Sequence, residues 1–465
     1  MISTAALACA FLMFFSSLDA HVAIAGFDAR PILVASSMVL SSTVTYLAWP
    51  SRWNIIAHGQ LVFAVIAYVV PLAGIGVQSA FSQDAVGLYY KVAIAGAVAT
   101  MVGALAGLPL GRRPIRIKNS WFRNVIDDGE LNRSRRKRVA VATCCALFGM
   151  ALCFLLLGFI PALAADPFSA KFFKGTYATA YASIAPLYRT TTTVITLVIP
   201  LVAAYFWQRR NALWGILLLL CLLVMALTLQ RGPAVTGILV FLGVLAAAKR
   251  YRMGPYFIAL IAVYLTGSAV YSLLGALGVT AYAASATSSL TFWENVAAGA
   301  PDVVDQFSFV EAWLASPEFT HGLTFVGGLV PGNFHWNPAV WGLSITNPGA
   351  DISDIASGGY RLPPALWGYV SFGSAGVLGV GFVFGFLSSW IAGYARQLIS
   401  RTTLEGAVAD YVTYGAILSL ATSFYALSYL HVVNVAVVAV LLWRRRYRGT
   451  ETLSGSHEST IRALK

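Results

Sequence analysis

Long apolar runs recur along the whole chain, and they constrain its fold more than any other feature. About 20 consecutive apolar residues are enough for a helix to cross a lipid bilayer. The 465-residue chain is 58% hydrophobic and only 11% charged, with a mean hydropathy of +0.74. Soluble globular proteins do not have this composition. The sequence therefore predicts an all-α polytopic integral membrane protein.

Twelve apolar segments are candidate transmembrane helices, and about 12 spans place both termini on one side of the membrane. The first segment has no preceding basic residues, so we expect it to remain as a span rather than be removed as a signal peptide. Residues 1–279 then hold spans 1 to 9, residues 366–443 hold spans 10 to 12, and residues 444–465 form a cytoplasmic tail. The predicted spans are residues 1–17, 31–48, 54–75, 89–110, 139–163, 187–207, 212–229, 234–248, 256–277, 366–394, 406–424 and 427–443.

Residues 280–365 form one large loop between spans 9 and 10. The segment is rich in aromatic residues, glycine and proline, which indicates an ordered surface rather than a flexible linker. Long segments between regular elements are commonly functional. Asp302 and Asp305 begin an amphipathic part of the loop, which we interpret as an interfacial helix lying on the outer leaflet. The loop contains a single base, Arg361.

Lysine and arginine are distributed unevenly between the two sides of the predicted topology. Cytoplasmic loops of membrane proteins are enriched in these residues, and the loop at residues 111–138 carries ten of them against three acids. We therefore attribute the net charge of +13 to the orientation of the chain in the membrane and to contact with anionic lipid, rather than to binding of nucleic acid. Only seven of the 31 bases fall outside or at outer helix ends, namely Arg30, Lys91, Lys171, Lys174, Arg189, Arg231 and Arg361.

Four of these seven lie beside a proline where an inward-running span is predicted to begin: Arg30, Arg189, Arg231 and Arg361. A helix N-terminus has free N–H groups and a partial positive charge, so it binds anions. A neighbouring guanidinium adds a bidentate fork that suits phosphate. We interpret Arg30 as a snorkelling interface anchor and Arg231 and Arg361 as functional. For Arg189 both interpretations stay open.

Two parts of the chain resemble a known family. The corner TLQRGPAVTGILVFLGVL is similar to the arginine-containing corner of the O-antigen polymerase and ligase superfamily. The loop segments GLTFVGGLVPGNFHWNP and SGGYRLPPALWGYVSFGSAGVLG resemble those of the oligosaccharide repeat-unit polymerases. Where the family pattern has an arginine after the loop proline, Pro331 is followed here by Gly332. Arg361 would then have to supply that phosphate contact.

The resemblance implies a glycosyltransferase in a bacterial cytoplasmic (inner) membrane. It would be a polymerase of O-antigen, capsule or exopolysaccharide that joins undecaprenyl-diphosphate-linked repeat units at the outer face. Its partners would be the lipid-linked donor and acceptor oligosaccharides and the surrounding membrane lipids, with a flippase and a chain-length regulator of the same pathway as further candidates. No cofactor, metal or nucleic acid is expected, because the donor is already activated.

Such a reaction needs cations for the departing diphosphate and a base for the acceptor hydroxyl. Arg231 and Arg361 are the candidates for the first role. For the second we consider histidines and aspartates of the loop, although each also has a structural explanation, as a loop histidine bonded to backbone or as a turn cap. The loop aromatics have two interpretations, stacking on sugar rings or anchoring at the membrane interface. The remaining candidates are His335 and His321 as catalytic groups, and Arg189, Tyr360, Trp336, Asp351 and Asp354 as substrate-binding groups.

Two other functions are compatible with the sequence. One is an O-antigen ligase-type glycosyltransferase, which differs from a polymerase only in the acceptor. The other is a flippase or transporter of lipid-linked oligosaccharide. A flippase requires cations in a central cavity at mid-span, whereas almost all the non-cytoplasmic bases are predicted at outer helix ends.

Overall fold

The structure, a computed structural model, describes residues 23–24, 27–113, 129–229, 231–249, 252–276, 303–330, 334–349, 359–399 and 404–442. The only strands among these residues are β1 (Ala23–Ile24) and β2 (Phe27–Asp28), which form an antiparallel hairpin. The first half of the chain then contains α1 (Arg30–Ser42), α2 (Thr45–Ala48), α3 (Ile55–Ala64), a π-helix (Val65–Ile75), a 3-10 helix (Val77–Ala80), α4 (Gln83–Arg112), α5 (Gly129–Leu157), a 3-10 helix (Pro161–Leu163), α6 (Pro167–Phe172) and α7 (Thr176–Arg209). The second half contains α8 (Ala212–Leu227), α9 (Arg231–Ala248), α10 (Met253–Ala276), α11 (Val303–Ala315), α12 (Leu323–Gly327), α13 (Pro338–Thr346), α14 (Pro364–Ile399), α15 (Leu404–Thr422), a 3-10 helix (Phe424–Ala426) and α16 (Tyr429–Leu442).

Long apolar helices dominate the described residues. Five of them are long and apolar enough to cross a membrane, and four shorter apolar helices accompany them. The chain is therefore an all-α membrane protein, as the sequence predicts. The number of twelve spans stays a prediction, and the first of them, at residues 1–17, lies outside the described residues.

The second predicted span is divided in the structure. Instead of one helix over residues 31–48, α1 ends at Ser42 and the short α2 begins at Thr45. The hydroxyls of Ser42 and Thr43 donate to the carbonyls of Met38 and Val39, four residues earlier. Such side-chain bonds compete with the helical pattern of backbone bonds, so a Ser/Thr-rich stretch bends or ends a helix.

The third span changes its winding half-way. Asn54 caps α3, because its side-chain oxygen accepts a hydrogen bond from the Ala57 N–H. From Val65 the chain continues as a π-helix that contains Pro71. Proline has no N–H to donate and its ring crowds the preceding turn, and π-type winding is one way of accommodating such a local mismatch. Gly76, with a positive φ of 76°, ends this helix.

Helices α4 and α14 form the most extensive helix pair in the described residues. Glycines let their backbones meet directly. A Cβ on Gly385 would overlap the carbonyl of Thr100, and a Cβ on Gly393 would overlap the backbone of Gly111. These contacts advance in the same direction along both helices, so the two helices run parallel. Small residues at such intervals are the usual device for close helix packing in membranes.

The sixth and tenth spans begin at different residues from those predicted. Helix α7 begins at Thr176 rather than near residue 187, because the helix continues through Pro186. Helix α14 is interrupted at Phe372 and at Gly373, whose φ of 62° only glycine adopts without strain. The chain folds back there, since Gly368 and Gly376 are in backbone contact. Residues 364–371 are therefore a separate segment that lies against the longer one.

The loop helices pack on one end of the spans, where a second apolar core forms. Helix α11 confirms the predicted amphipathic helix, and its position on the outer leaflet stays a prediction. Its apolar residues Val303, Phe307 and Val310 are at most 2% exposed, and they pack against α4, α13 and the π-helix region. The apolar face of α11 is therefore covered by protein. A separate and larger core joins α5, α7, α8, α9, α15 and α16.

Candidate functional site

Arg361 lies in an extended segment that leads from the loop into α14, and its side chain is exposed. Two buried side chains, Gln306 and Tyr89, hold its backbone in place. The side-chain nitrogen of Gln306 donates to the Arg361 carbonyl at 3.1 Å. The oxygen of the same amide accepts a bond of 2.7 Å from the Tyr89 hydroxyl in α4. Since both Tyr89 and Gln306 are 1% exposed, a buried network fixes the position of this exposed arginine.

Asp305 lies close enough to Arg361 for their charges to interact. Burial raises the pKa of the Asp305 carboxyl above its usual range, and the positive charge of Arg361 opposes that rise. Arg361 is therefore not the isolated base that the sequence predicted. Asp305 and Gln306 are adjacent in α11, where Asp305 interacts with Arg361 through charge and Gln306 through a hydrogen bond to its backbone.

Tyr360 precedes Arg361 and is half-buried on the loop helices. Its ring centroid lies 6.1 Å from that of Phe309 in α11. Trp341 and Trp367, which were also predicted to meet sugars or the membrane interface, are 0% and 3% exposed. Both fill the outer core, with ring centroids 5.9 Å apart. They stabilise the fold, and Tyr360 keeps part of its ring accessible beside Arg361.

His335 and Trp336 directly precede α13, and the rings of Trp336 and Tyr360 pack against the same apolar core. The His335 ring is exposed and meets Trp336 edge-on at a centroid distance of 4.6 Å. Trp336 is half-buried, and its carbonyl packs directly on Gly327 at the end of α12. A side chain at position 327 would push these two segments apart. His335 is therefore a reachable base on a backbone held by close packing.

His321 is exposed in a strained turn before α12. Its φ is 48°, in the left-handed region that non-glycine residues rarely adopt. Its neighbour Thr320 fixes the turn. The Thr320 N–H donates to the Val370 carbonyl at 2.9 Å, and its hydroxyl is 2.8 Å from that of Ser371. Strain of this kind is concentrated at functional sites and is maintained by the surrounding structure.

Arg189 does not begin a helix, which corrects the sequence interpretation. It lies inside α7, thirteen residues after Thr176, so it is not at the N-terminus of its own helix. Its Nε donates to the Tyr181 hydroxyl at 2.8 Å, and the Tyr429 hydroxyl makes a further side-chain hydrogen bond with it. The Tyr429 N–H in turn donates to the Gly328 carbonyl at 2.9 Å. Arg189 is thereby connected, through Tyr429, to Gly328 at the end of α12.

Arg30 is paired with Asp28, and its interpretation as a snorkelling interface anchor stays a prediction. Its Nε and second terminal nitrogen donate to the two Asp28 oxygens at 2.8 and 2.9 Å. These bonds hold the pKa of Asp28 below its usual range. Both side chains are about half exposed, at 56% and 48%.

Three of the predicted site residues lie beyond what the structure describes. Arg231 is the first residue of α9, which confirms a helix start at this position, but its side chain is outside the described residues. Asp351 and Asp354 are outside them entirely. Within the described part, Tyr360 and Arg361 adjoin because they are consecutive in the chain, and the same is true of His335 and Trp336.

Asp305, Gln306 and Tyr89 were not predicted as partners of the site. The sequence gives no signal for the Tyr89–Gln306 bond, which joins positions 217 residues apart. Asp305 could have been suspected from the sequence, because it is an acid in the same loop as the single base, Arg361. No protein family, curated protein or solved structure matches this chain.

Proposed function

We propose that this protein is a glycosyltransferase that joins oligosaccharide units carried on polyprenyl diphosphate at the outer face of a bacterial inner membrane, and that it acts as a polysaccharide polymerase. The observation that carries the proposal is Arg361. It is an exposed guanidinium on an outer loop, and the buried Tyr89–Gln306 network holds its backbone in place. A preorganised cation is what a departing diphosphate needs.

In the proposed reaction an acceptor sugar hydroxyl attacks the anomeric carbon of the donor. A new C–O bond forms and the bond to the diphosphate breaks. The polyprenyl diphosphate leaves with the electron pair, and its growing negative charge is stabilised by Arg361 and by Arg231. A base on the protein takes the hydroxyl proton.

Three described side chains suit the role of base. His335 and His321 are exposed and so are within reach of a bound acceptor. Asp305 is a further candidate, because burial raises the pKa of its carboxyl and a raised pKa favours proton transfer near neutral pH. Tyr360 and Trp336 each keep part of an aromatic ring accessible, a surface on which sugar rings stack.

Lipid-linked glycans in a deletion strain distinguish the proposed function from its alternatives. For a polymerase we expect single repeat units on the carrier and no long polymer. Long chains that stay on the carrier would identify a ligase instead. Repeat units trapped on the cytoplasmic leaflet would identify a flippase. Purified protein in liposomes should also lengthen a polyprenyl-diphosphate oligosaccharide without any nucleotide.

One observation favours the flippase alternative. Arg189 lies within α7 rather than at a helix end, and cations inside the membrane mark substrate pathways. The Arg189 guanidinium is nonetheless engaged by Tyr181 and Tyr429. If the flippase alternative holds, Arg189→Gln stops the appearance of lipid-linked units at the outer leaflet. Under the polymerase proposal it leaves that appearance unchanged.

A further inference from the structure

A basic cleft of about 510 Å³ lies at the end of α4 and α14 that is opposite to the loop helices α11, α12 and α13. It opens between the C-terminal ends of α4 and α14, beside the end of α2. The predicted topology assigns this end to the cytoplasm. The lining residues are Ala48, Leu108, Gly111, Arg112, Gly393, Arg396 and Gln397.

Two glycines, Gly111 of α4 and Gly393 of α14, form the bottom of the cleft. A Cβ on Gly393 would come within 2.6 Å of the Gly111 Cα, so the two backbones touch and neither helix has a side chain at this point. The helices therefore meet without filling the space above the contact. Close backbone packing is thus the reason that a cleft exists here between the ends of two parallel helices.

The walls of the cleft are cationic. Arg112 and Arg396 are both exposed, one from each helix, and none of the described lining residues is acidic. Two helix C-termini end nearby, and each carries a partial negative charge of about half a unit. Gln397 counters this by donating to the carbonyls of Gly111 and Arg113 at 2.9 and 3.1 Å. The two full positive charges therefore dominate.

The remaining wall of the cleft is apolar. Leu108 lies one helical turn deeper along α4 than Arg112, and Ala48 ends α2. A ligand that fills this space needs an anionic group at the arginines and hydrocarbon along Leu108. A phospholipid of the inner leaflet has this chemistry, since basic pockets between helices on the cytoplasmic side recognise anionic headgroups.

We propose that the cleft formed by Arg112, Arg396 and Gln397 binds the phosphate headgroup of an anionic phospholipid of the cytoplasmic leaflet. Bound there, the lipid bridges the inner ends of α4 and α14, the pair on which the outer loop is built. The proposal does not depend on the reaction proposed above.

Thermal unfolding of the purified full-length protein in a neutral detergent tests the proposal. We expect dioleoylphosphatidylglycerol to raise the Tm by several degrees and dioleoylphosphatidylcholine to have a much smaller effect. A ligand that binds only the folded state stabilises it in this manner. The double variant Arg112→Gln/Arg396→Gln should lose more than about half of the Tm shift, and Arg112→Lys/Arg396→Lys should keep part of it.

Arg209→Gln/Arg210→Gln is the matched control, because it removes two exposed arginines of the same predicted face outside the cleft. This control should retain the full shift. Equal loss in both double variants would overturn the proposal in favour of general surface charge. An equal shift with phosphatidylcholine would overturn it as well. A full Tm shift with inorganic phosphate alone would overturn the proposal that the bound anion is a phospholipid headgroup. If the double variant does not fold, the single variants replace it, and each is expected to lose part of the shift.

Discussion

The Tyr89 hydroxyl donates a hydrogen bond of 2.7 Å to the side-chain oxygen of Gln306, and both residues are buried. This bond joins α4, a helix long and apolar enough to cross a membrane, to the loop helix α11. Because the Gln306 amide also donates to the Arg361 carbonyl, one side chain connects the rigid α4–α14 pair to the proposed catalytic arginine. The loop is therefore positioned by the membrane domain.

Gln306→Leu should destabilise the protein and lower its activity. The substitution leaves the Tyr89 hydroxyl buried without a partner, which costs about 1–3 kcal/mol. It also releases the Arg361 backbone. We expect a lower Tm in detergent and a reduced rate of glycan transfer. In the double variant Tyr89→Phe/Gln306→Leu the stability loss should be smaller than the sum of the two single losses, and strict additivity would refute the coupling.

Arg361→Ala should abolish most polymerisation while the protein level stays intact. A lost charge-assisted contact is worth roughly 1.5–3 kcal/mol, or about ten- to a hundredfold in rate when it acts only in the transition state. Arg361→Lys should also lose most activity, since an ammonium keeps the charge without the planar fork. The measurement is turnover of a lipid-diphosphate oligosaccharide by purified variants.

Arg30→Ala is the control for that experiment. Arg30 is also an outer arginine before a helix, but its fork is occupied by Asp28. An exposed ion pair contributes about 0–1 kcal/mol, so we expect nearly unchanged activity. Full activity in Arg361→Ala would remove this residue from the site.

Asp305→Asn should raise the Tm at neutral pH. Burial raises the pKa of this carboxyl, and Arg361 opposes the rise. Because the folded chain binds the proton more tightly than the unfolded chain, ionisation costs stability. That cost is absent below the unfolded pKa of about 4 and is complete above the folded pKa. The Tm advantage of Asp305→Asn should thus shrink as the pH falls, and an advantage independent of pH would contradict this explanation.

Hydropathy predicted the helical class, because long apolar segments favour helices that can cross a bilayer. Hydropathy did not predict where α7 begins or where α14 is interrupted. Proline at position 186 was taken as a helix start, yet a proline inside a membrane helix is tolerated when neighbouring groups satisfy the backbone. The break at Gly373 depends on a backbone conformation that one glycine among 41 does not reveal.

The candidate site was predictable only in part. Charge asymmetry singled out Arg361, because bases are depleted on that face of the predicted topology. Its neighbours were not identified, since Gln306 and Tyr89 come together only when α11 folds onto α4. Trp341 and Trp367 were assigned to the surface because aromatic composition does not distinguish a core from an interface.

Cysteine labelling should place the loop on the outer side. Ser316 follows α11 and is exposed, so Ser316→Cys in a background without the native cysteines should react with an impermeant maleimide on intact cells. A cysteine at position 120, in the basic loop, should react only after the membrane is opened. Labelling of position 120 but not of position 316 in intact cells would invert the topology.

Gly385→Ala should destabilise the α4–α14 pair, because its new methyl group would overlap the Thr100 carbonyl. Backbone atoms cannot move aside as a flexible side chain can, so the helices must separate. Overpacking of this kind costs about 1–3 kcal/mol. Gly379→Ala in the same helix is the matched control, since its methyl group would meet nothing within 4 Å. There, the better helix propensity of alanine should leave stability equal or higher by up to about 1 kcal/mol.

Both variants change one hydrogen to one methyl group in the same apolar helix, so hydropathy and expression should be matched. The measurement is the Tm in detergent together with the rate of glycan transfer. We expect Gly385→Ala to lower both, because α4 carries Tyr89 and with it the Gln306–Arg361 network. Equal Tm values for the two alanine variants would show that the helices are not in backbone contact. A lower Tm with unchanged transfer would separate the packing of the pair from the positioning of Arg361.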